Sequence, residues 1–121
     1  MKLTLSSIDK DNMIHLTAEG QITSLDFHQD NKNPLEALIG GDWANNKVIM
    51  DLDKVSYVDS TAIGWLVSCH KQFKENGGKM ILHSIHPSVA QVFDMLKIGS
   101  LFPLVDDVDE ARTVAAGDSQ E

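Results

Sequence analysis

The side chains best placed to do chemistry lie between Val48 and Gly64, in the run VIMDLDKVSYVDSTAIG. A compact apolar segment gives way there to polar residues, which deliver Asp59-Ser60-Thr61 to the start of a helical pattern. A hydroxyl at a helix start has two accounts. As a cap, its oxygen accepts a hydrogen bond from an unpaired first-turn amide, a position where Ser and Asp are both preferred. As a modification site, it sits where exposed amides and the helix dipole favour an anion. A phosphate on Ser60 would add about −1.5 to −2 charges at a place that tolerates them. The surface would change and the scaffold would not, which is what a partner-controlling switch requires.

Other candidates carry less. Asp59, Ser60 and His70 together suggest a nucleophilic triad, but ten helical residues separate Ser60 from His70. That is about 15 Å at 1.5 Å per residue, too far for the hydrogen bond such chemistry needs. His83 and His86 have metal-like spacing without a third or fourth ligand nearby, and a strand end followed by a loop accounts for them. Cys69, the single cysteine, falls on a buried helical stripe and reads as a packed thiol. No Gly-rich phosphate loop is present, so the chain should not bind ATP on its own. Neither a cofactor nor a metal is expected, and the protein is read as a non-enzyme.

The elements that position Ser60 follow from hydrophobic period. Leu3 and Leu5, then Ile14, Leu16 and Ala18, alternate with polar residues across the turn cluster Asp9-Lys10-Asp11-Asn12, which predicts a hairpin with one buried face. Gly20 is expected to break the second strand. Pro34 to Ile39 predicts a short helix closed by Gly40-Gly41, inside a polar excursion from Ser24 to Asn46 pinned by Phe27 and Trp43. Val48 to Leu52 reads as a strand covered on both faces, and Asp53 to Asp59 as a loop.

A strong helix follows, with Ala62, Ile63, Leu66, Cys69, His70 and Phe73 on its apolar stripe. Thr61, Gly64, Ser68, Lys71 and Glu75 point the other way, and Gly77-Gly78 ends it. Trp65 sits at the border of the stripe, suited equally to an interface anchor and to lateral packing. Met80 to Leu82 predicts another strand. Pro87 opens a helix with the core stripe Val89, Val92, Phe93 and Leu96, and Gly99 lies past its end. Phe102 to Val105 is an edge strand at best, and a last helix starts near Asp107 with Glu110 completing a capping box. The order ββ(α)βαβα(β)α implies parallel crossovers onto a mixed sheet.

Composition limits the partners. The 121 residues suit one domain, and 42% hydrophobic with 23% charged residues is ordinary for a folded chain. Eighteen acidic against ten basic residues leave a net charge of −8. That excludes the basic face of a nucleic-acid binder and disfavours an acidic membrane surface. No apolar run approaches the roughly 18 to 20 residues of a membrane span, and the N-terminus lacks a signal-peptide core. A cytoplasmic protein is expected.

From Leu3 to about Ala115 the chain resembles the STAS domain family, in particular bacterial anti-anti-sigma factors (anti-sigma factor antagonists). The resemblance rests on the hairpin, Asp51-Leu52-Asp53, the Asp59-Ser60-Thr61 turn, Gly77-Gly78 and Leu96-Lys97-Ile98-Gly99. It implies one STAS domain over residues 1–116 with a flexible tail at 117–121, built as a mixed central sheet flanked by about four helices. It implies that Ser60 is the phosphoacceptor, preceded by Asp59 and followed by Thr61. Partner contact is expected at Thr23, Asp59, Ser60, Thr61, Gly64 and Trp65.

The implied partners are an anti-sigma factor that is also a serine kinase of GHKL type, and a serine/threonine phosphatase. Neither nucleic acid nor membrane insertion is implied. Two positions depart from the family pattern: Ala62 stands where glycine is frequent, and Thr23 where an aspartate is frequent. The rival expectation is a constitutive STAS adaptor subunit of a transporter or lipid-trafficking complex, which needs no phosphorylation.

Overall fold

The alternating residues at the N-terminus form the expected hairpin. In a computed structural model describing residues 1–27, 33–101 and 103–117, β1 (Lys2–Ile8) pairs antiparallel with β2 (Ile14–Ile22). Asp9 closes the turn, its Oδ1 accepting from the backbone amides of Asp11 at 2.9 Å and Met13 at 3.1 Å. β3 (Lys47–Val58), β4 (Lys79–His83) and β5 (Leu104–Val105) follow in parallel, giving one five-stranded sheet in the order β1-β2-β3-β4-β5. Between them run α1 (Pro34–Ile39), α2 (Ser60–Glu75) and α3 (Pro87–Met95), and α4 (Val108–Ala116) ends the described chain.

Strand alternation splits the core in two. Val48, Met50, Leu52, Met80 and Leu82 turn to one side and pack with Leu35 of α1, Leu66 and Phe73 of α2, and Phe93 of α3. Ile49 and Ile81 turn to the other side, where Met13 and Ala111 and Ala115 of α4 cover them. Burying an aliphatic side chain of this size contributes about 1.5–3 kcal/mol, so both faces at the sheet centre are closed. Trp43 meets Phe73 edge-on at 5.1 Å, and Phe27 lies 5.1 Å from Trp65. These contacts pin the described parts of the 24–46 excursion; residues 28–32 fall outside the description.

Several boundaries differ from the sequence expectation. β3 does not end at Leu52 but runs to Val58, because Lys54, Val55, Tyr57 and Val58 pair with Glu19 to Ile22 of β2. Gly20 does not end β2 either: its φ of 88° sits at a register irregularity and the strand continues to Ile22. On α2 the buried stripe is Ala62, Trp65, Leu66, Cys69 and Phe73, so Trp65 replaces His70 and Ile63 is half-buried. Leu96 lies past the end of α3 and is 53% exposed, whereas Ile98 is buried in its stead. At α4, Asp107 caps Glu110 as expected, but the Glu110 carboxylate returns to the amide of Asp106, one residue before the cap.

Gly78 is required by contact rather than by conformation. A Cβ there would collide with the carbonyl oxygens of Ala44 and Asn46. Its amide donates to Phe73 O at 2.9 Å, and Lys79 N to Asn46 O at 3.1 Å, which bring α2 back onto β4. The expected edge strand is reduced to Leu104–Val105, and Phe102 falls outside the described residues. Gly117 caps α4, and the rest of the expected tail, 118–121, also falls outside.

Candidate functional site

Ser60 opens α2 at the C-terminal end of β3, and the capping there is done by its neighbour. Asp59 Oδ1 accepts from Ala62 N at 2.9 Å, the N-cap bond of α2. Its Oδ2 accepts from Ser24 N, also at 2.9 Å, in the loop that leaves β2. The backbone of Asp59 donates to Ile22 O at 3.2 Å. One aspartate thus closes the helix start and ties a second loop to it. Ser60 becomes the first helical residue, exposed, with its hydroxyl in no hydrogen bond among the described residues. The backbone amides of Ser60 and Thr61 likewise find no acceptor among them, leaving two donors beside that hydroxyl.

The β2 loop is self-capped. Thr23 Oγ1 accepts from Leu25 N at 3.3 Å and Asp26 Oδ2 from Thr23 N at 2.8 Å, a reciprocal box around a 3-10 turn over Ser24–Asp26. Thr23 therefore spends its hydroxyl on its own loop and is half-buried. The box turns Leu25 outward to 76% exposure, and Tyr57, near the end of β3, is 50% exposed. Neither was singled out from sequence. The available signal was Leu25 standing alone between Thr23-Ser24 and Asp26, inside a capping-box spacing. A third loop joins through Ser88, whose Oγ donates to Ser56 O at 3.1 Å.

The remaining expected residues separate. Thr61 and Gly64 are exposed along α2, and Gly64 has open space around it. Trp65 turns inward, 9% exposed, donating Nε1–H to Asn33 Oδ1 at 3.2 Å. In this structure Trp65 packs laterally and supports the Ser60 helix from beneath. Asn33 also caps α1 through Leu35 N at 2.8 Å, so one amide side chain locks α1 to α2.

His86 caps α3, its Nδ1 accepting from Ser88 N at 3.2 Å, while His83 is buried at the end of β4. Among the described residues no group of three or more His, Cys, Asp or Glu could hold a metal ion. Burial pushes the Cys69 thiol up to about 12, against the opposing hydrogen bond from Asn33, so it stays protonated and unreactive. His70, half-buried on α2, is held below its ordinary value first by burial and then by the nearby Lys74. Among the described residues no helix is long and apolar enough to cross a membrane.

Known proteins are similar to this chain in sequence and in fold. Over 113 residues the chain is 27% identical to the Bordetella bronchiseptica protein BtrV, whose name assigns it by inference as an anti-sigma factor antagonist, with 92% of this chain and 91% of that one covered. The fold matches an anti-sigma-factor antagonist (STAS) domain protein of Planctomyces limnophilus with a TM-score of 0.71, 23% identity, and 95% and 97% of the two chains covered. It matches the anti-sigma factor antagonist SpoIIAA, in its unphosphorylated form, with a TM-score of 0.62, 15% identity, and 98% and 99% covered. At those identities the structural likeness bears on the fold. Residues 7–111 match the STAS domain itself, and the chain belongs to the STAS domain family.

Proposed function

We propose that this protein is an anti-sigma factor antagonist whose contact with its partner is switched at Ser60. The observation that carries the reading is the division of labour at the start of α2: Asp59 does the capping, so the Ser60 hydroxyl is exposed and uncommitted. In the unphosphorylated state, the surface formed by Leu25, Tyr57, Ser60 and Thr61 docks an anti-sigma factor and frees its sigma factor. Exposed aromatic and aliphatic side chains beside a small hydroxyl suit an interface centre.

The partner is a GHKL-type serine kinase. The Ser60 oxygen attacks the γ-phosphorus of the ATP that the kinase holds. Its proton passes to a base of the kinase, and ADP leaves. The phosphate then lies beside the open amides of Ser60 and Thr61, where the helix end stabilises negative charge. Bulk and charge at the interface centre weaken docking. A serine/threonine phosphatase restores the hydroxyl by hydrolysis.

The test is co-purification from the native cell with Ser60→Ala and Ser60→Asp baits, alongside phosphosite mapping of the wild type. Retention of a kinase-type anti-sigma factor by Ser60→Ala, its loss with Ser60→Asp, and phosphate mapped to Ser60 are expected. Equal capture of a permease or lipid-trafficking subunit by both baits, with no phosphate at Ser60, would replace this reading with the constitutive adaptor.

A further inference from the structure

The sheet face that carries α4 has a polar end unrelated to Ser60. Thr17 of β2 pairs with Asp51 of β3, and Asp51 with His83 of β4, so the three stand in one row. Strand alternation puts Asp51 and His83 on the same side as Ile49 and Ile81, two residues earlier, which α4 covers. The row itself opens into a cavity of about 370 Å³ that Ser6, His15 and Asp107 help to line, at the N-terminal end of α4.

His83 is 5% exposed, the one buried polar side chain among the described residues. Its Nδ1 is hydrogen-bonded to Ser84 Oγ at 2.8 Å, and its Nε2 has no hydrogen bond to any described residue. No sealed side-chain nitrogen or oxygen among the described residues lacks a partner. That nitrogen is therefore open to the cavity the ring lines.

Two carboxylates accompany it. Asp51 Oδ1 accepts from Asp53 N at 2.8 Å and Asp107 Oδ1 from Glu110 N at 2.8 Å, and in each the second oxygen has no described partner. His15 is already engaged, its Nε2 lying 2.9 Å from Asp9 Oδ2. The described residues lining the cavity include no Lys or Arg. In the tautomer whose Nδ1–H donates to Ser84 Oγ, the His83 ring offers a bare Nε2 lone pair to the cavity. In that tautomer the cavity offers three unfilled acceptors and is lined by no Lys or Arg among the described residues, with His15 turned to Asp9, which matches the three donors of an ammonium group.

We propose that this cavity binds a small primary ammonium compound, with Asp51, Asp107 and His83 accepting its three N–H bonds. The test is an amide-resolved NMR titration of the full chain with ethylammonium, using tetramethylammonium as a cation that has no N–H donor. Saturating shifts confined to Thr17, Asp51, His83, Ser84 and Asp107 are expected with ethylammonium alone.

Asp51→Asn should weaken binding by about tenfold or more, the loss expected for one charged hydrogen bond. Asp109→Asn, which removes equal charge from exposed α4, should leave binding unchanged. His83→Gln is a second variant should Asp51→Asn disturb the fold, and it too should weaken binding. Shifts that never saturate, spread over the acidic surface or appear equally with tetramethylammonium would reduce the effect to general charge attraction and overturn the site. So would an unperturbed spectrum.

Discussion

Asp59 Oδ2 accepts the backbone N–H of Ser24 at 2.9 Å, across a separation of 35 residues. The same carboxylate caps α2 through Ala62 N. The loop after β2 and the helix carrying Ser60 are consequently held by one side chain, and the Ser60 hydroxyl makes no hydrogen bond among the described residues.

That asymmetry has a measurable consequence. Asp59→Ala should lower unfolding stability by about 1–2 kcal/mol, the range for a lost N-cap, with the lost Ser24 bond placing it toward the upper end. Ser60→Ala should change stability by no more than about 0.5 kcal/mol, as for a surface position without partners. Urea midpoints at constant m-value compare the two. A larger loss for Ser60→Ala than for Asp59→Ala would show that the serine is the cap.

Phe73 anchors the other end of α2, fully buried and edge-on to Trp43 at 5.1 Å. Phe73→Ala should cost about 3–5 kcal/mol through lost contact and residual cavity. Tryptophan emission of the folded variant should shift to the red as the Trp43 environment opens. A midpoint within about 1 kcal/mol of wild type would mean that the site collapses around the smaller side chain.

His83 makes stability depend on pH. Burial holds its imidazole below the ordinary value, His15 adds to the depression, and Asp51 and Asp107 oppose it. The unfolded chain therefore takes up the proton first. The contribution of His83 is complete above about pH 6.5, the ordinary histidine value, and declines as the pH falls below it toward the folded value. Denaturation midpoints of wild type and His83→Gln, followed from pH 7.5 to 5.5, should diverge in slope, with the variant flatter. Parallel curves would mean that His83 titrates alike in both states.

Cys69 should be silent in the native protein. With its thiol pushed up to about 12, the thiolate is roughly one part in ten thousand at pH 8, and the sulfur is buried besides. A chromogenic thiol reagent should react at the rate of unfolding, and at once in denaturant. Rapid native labelling would place Cys69 at an open surface.

Local chemistry was enough to expose most of the fold. The alternation of Leu3, Leu5, Ile14, Leu16 and Ala18, the apolar run at Val48 and the 3.6-residue period after Ser60 each report one-sided burial within a few residues. Helix starts at Pro34, Pro87 and Asp107 were equally legible, since capping and proline geometry are properties of neighbouring residues. Family membership was legible too, because the Asp59-Ser60-Thr61 turn is a contiguous motif.

Tertiary contacts decided the rest. β3 continues through Asp53 to Val58 because the backbone of β2 lies alongside, a partner that polar side chains in the sequence do not announce. Trp65 is interior because Asn33, 32 residues away, meets its indole N–H. The sequence alone placed a hydroxyl at the head of a helix. Only the fold decided that it is uncommitted, because the Ser24 amide and the first turn of α2 both converge on the carboxylate of Asp59.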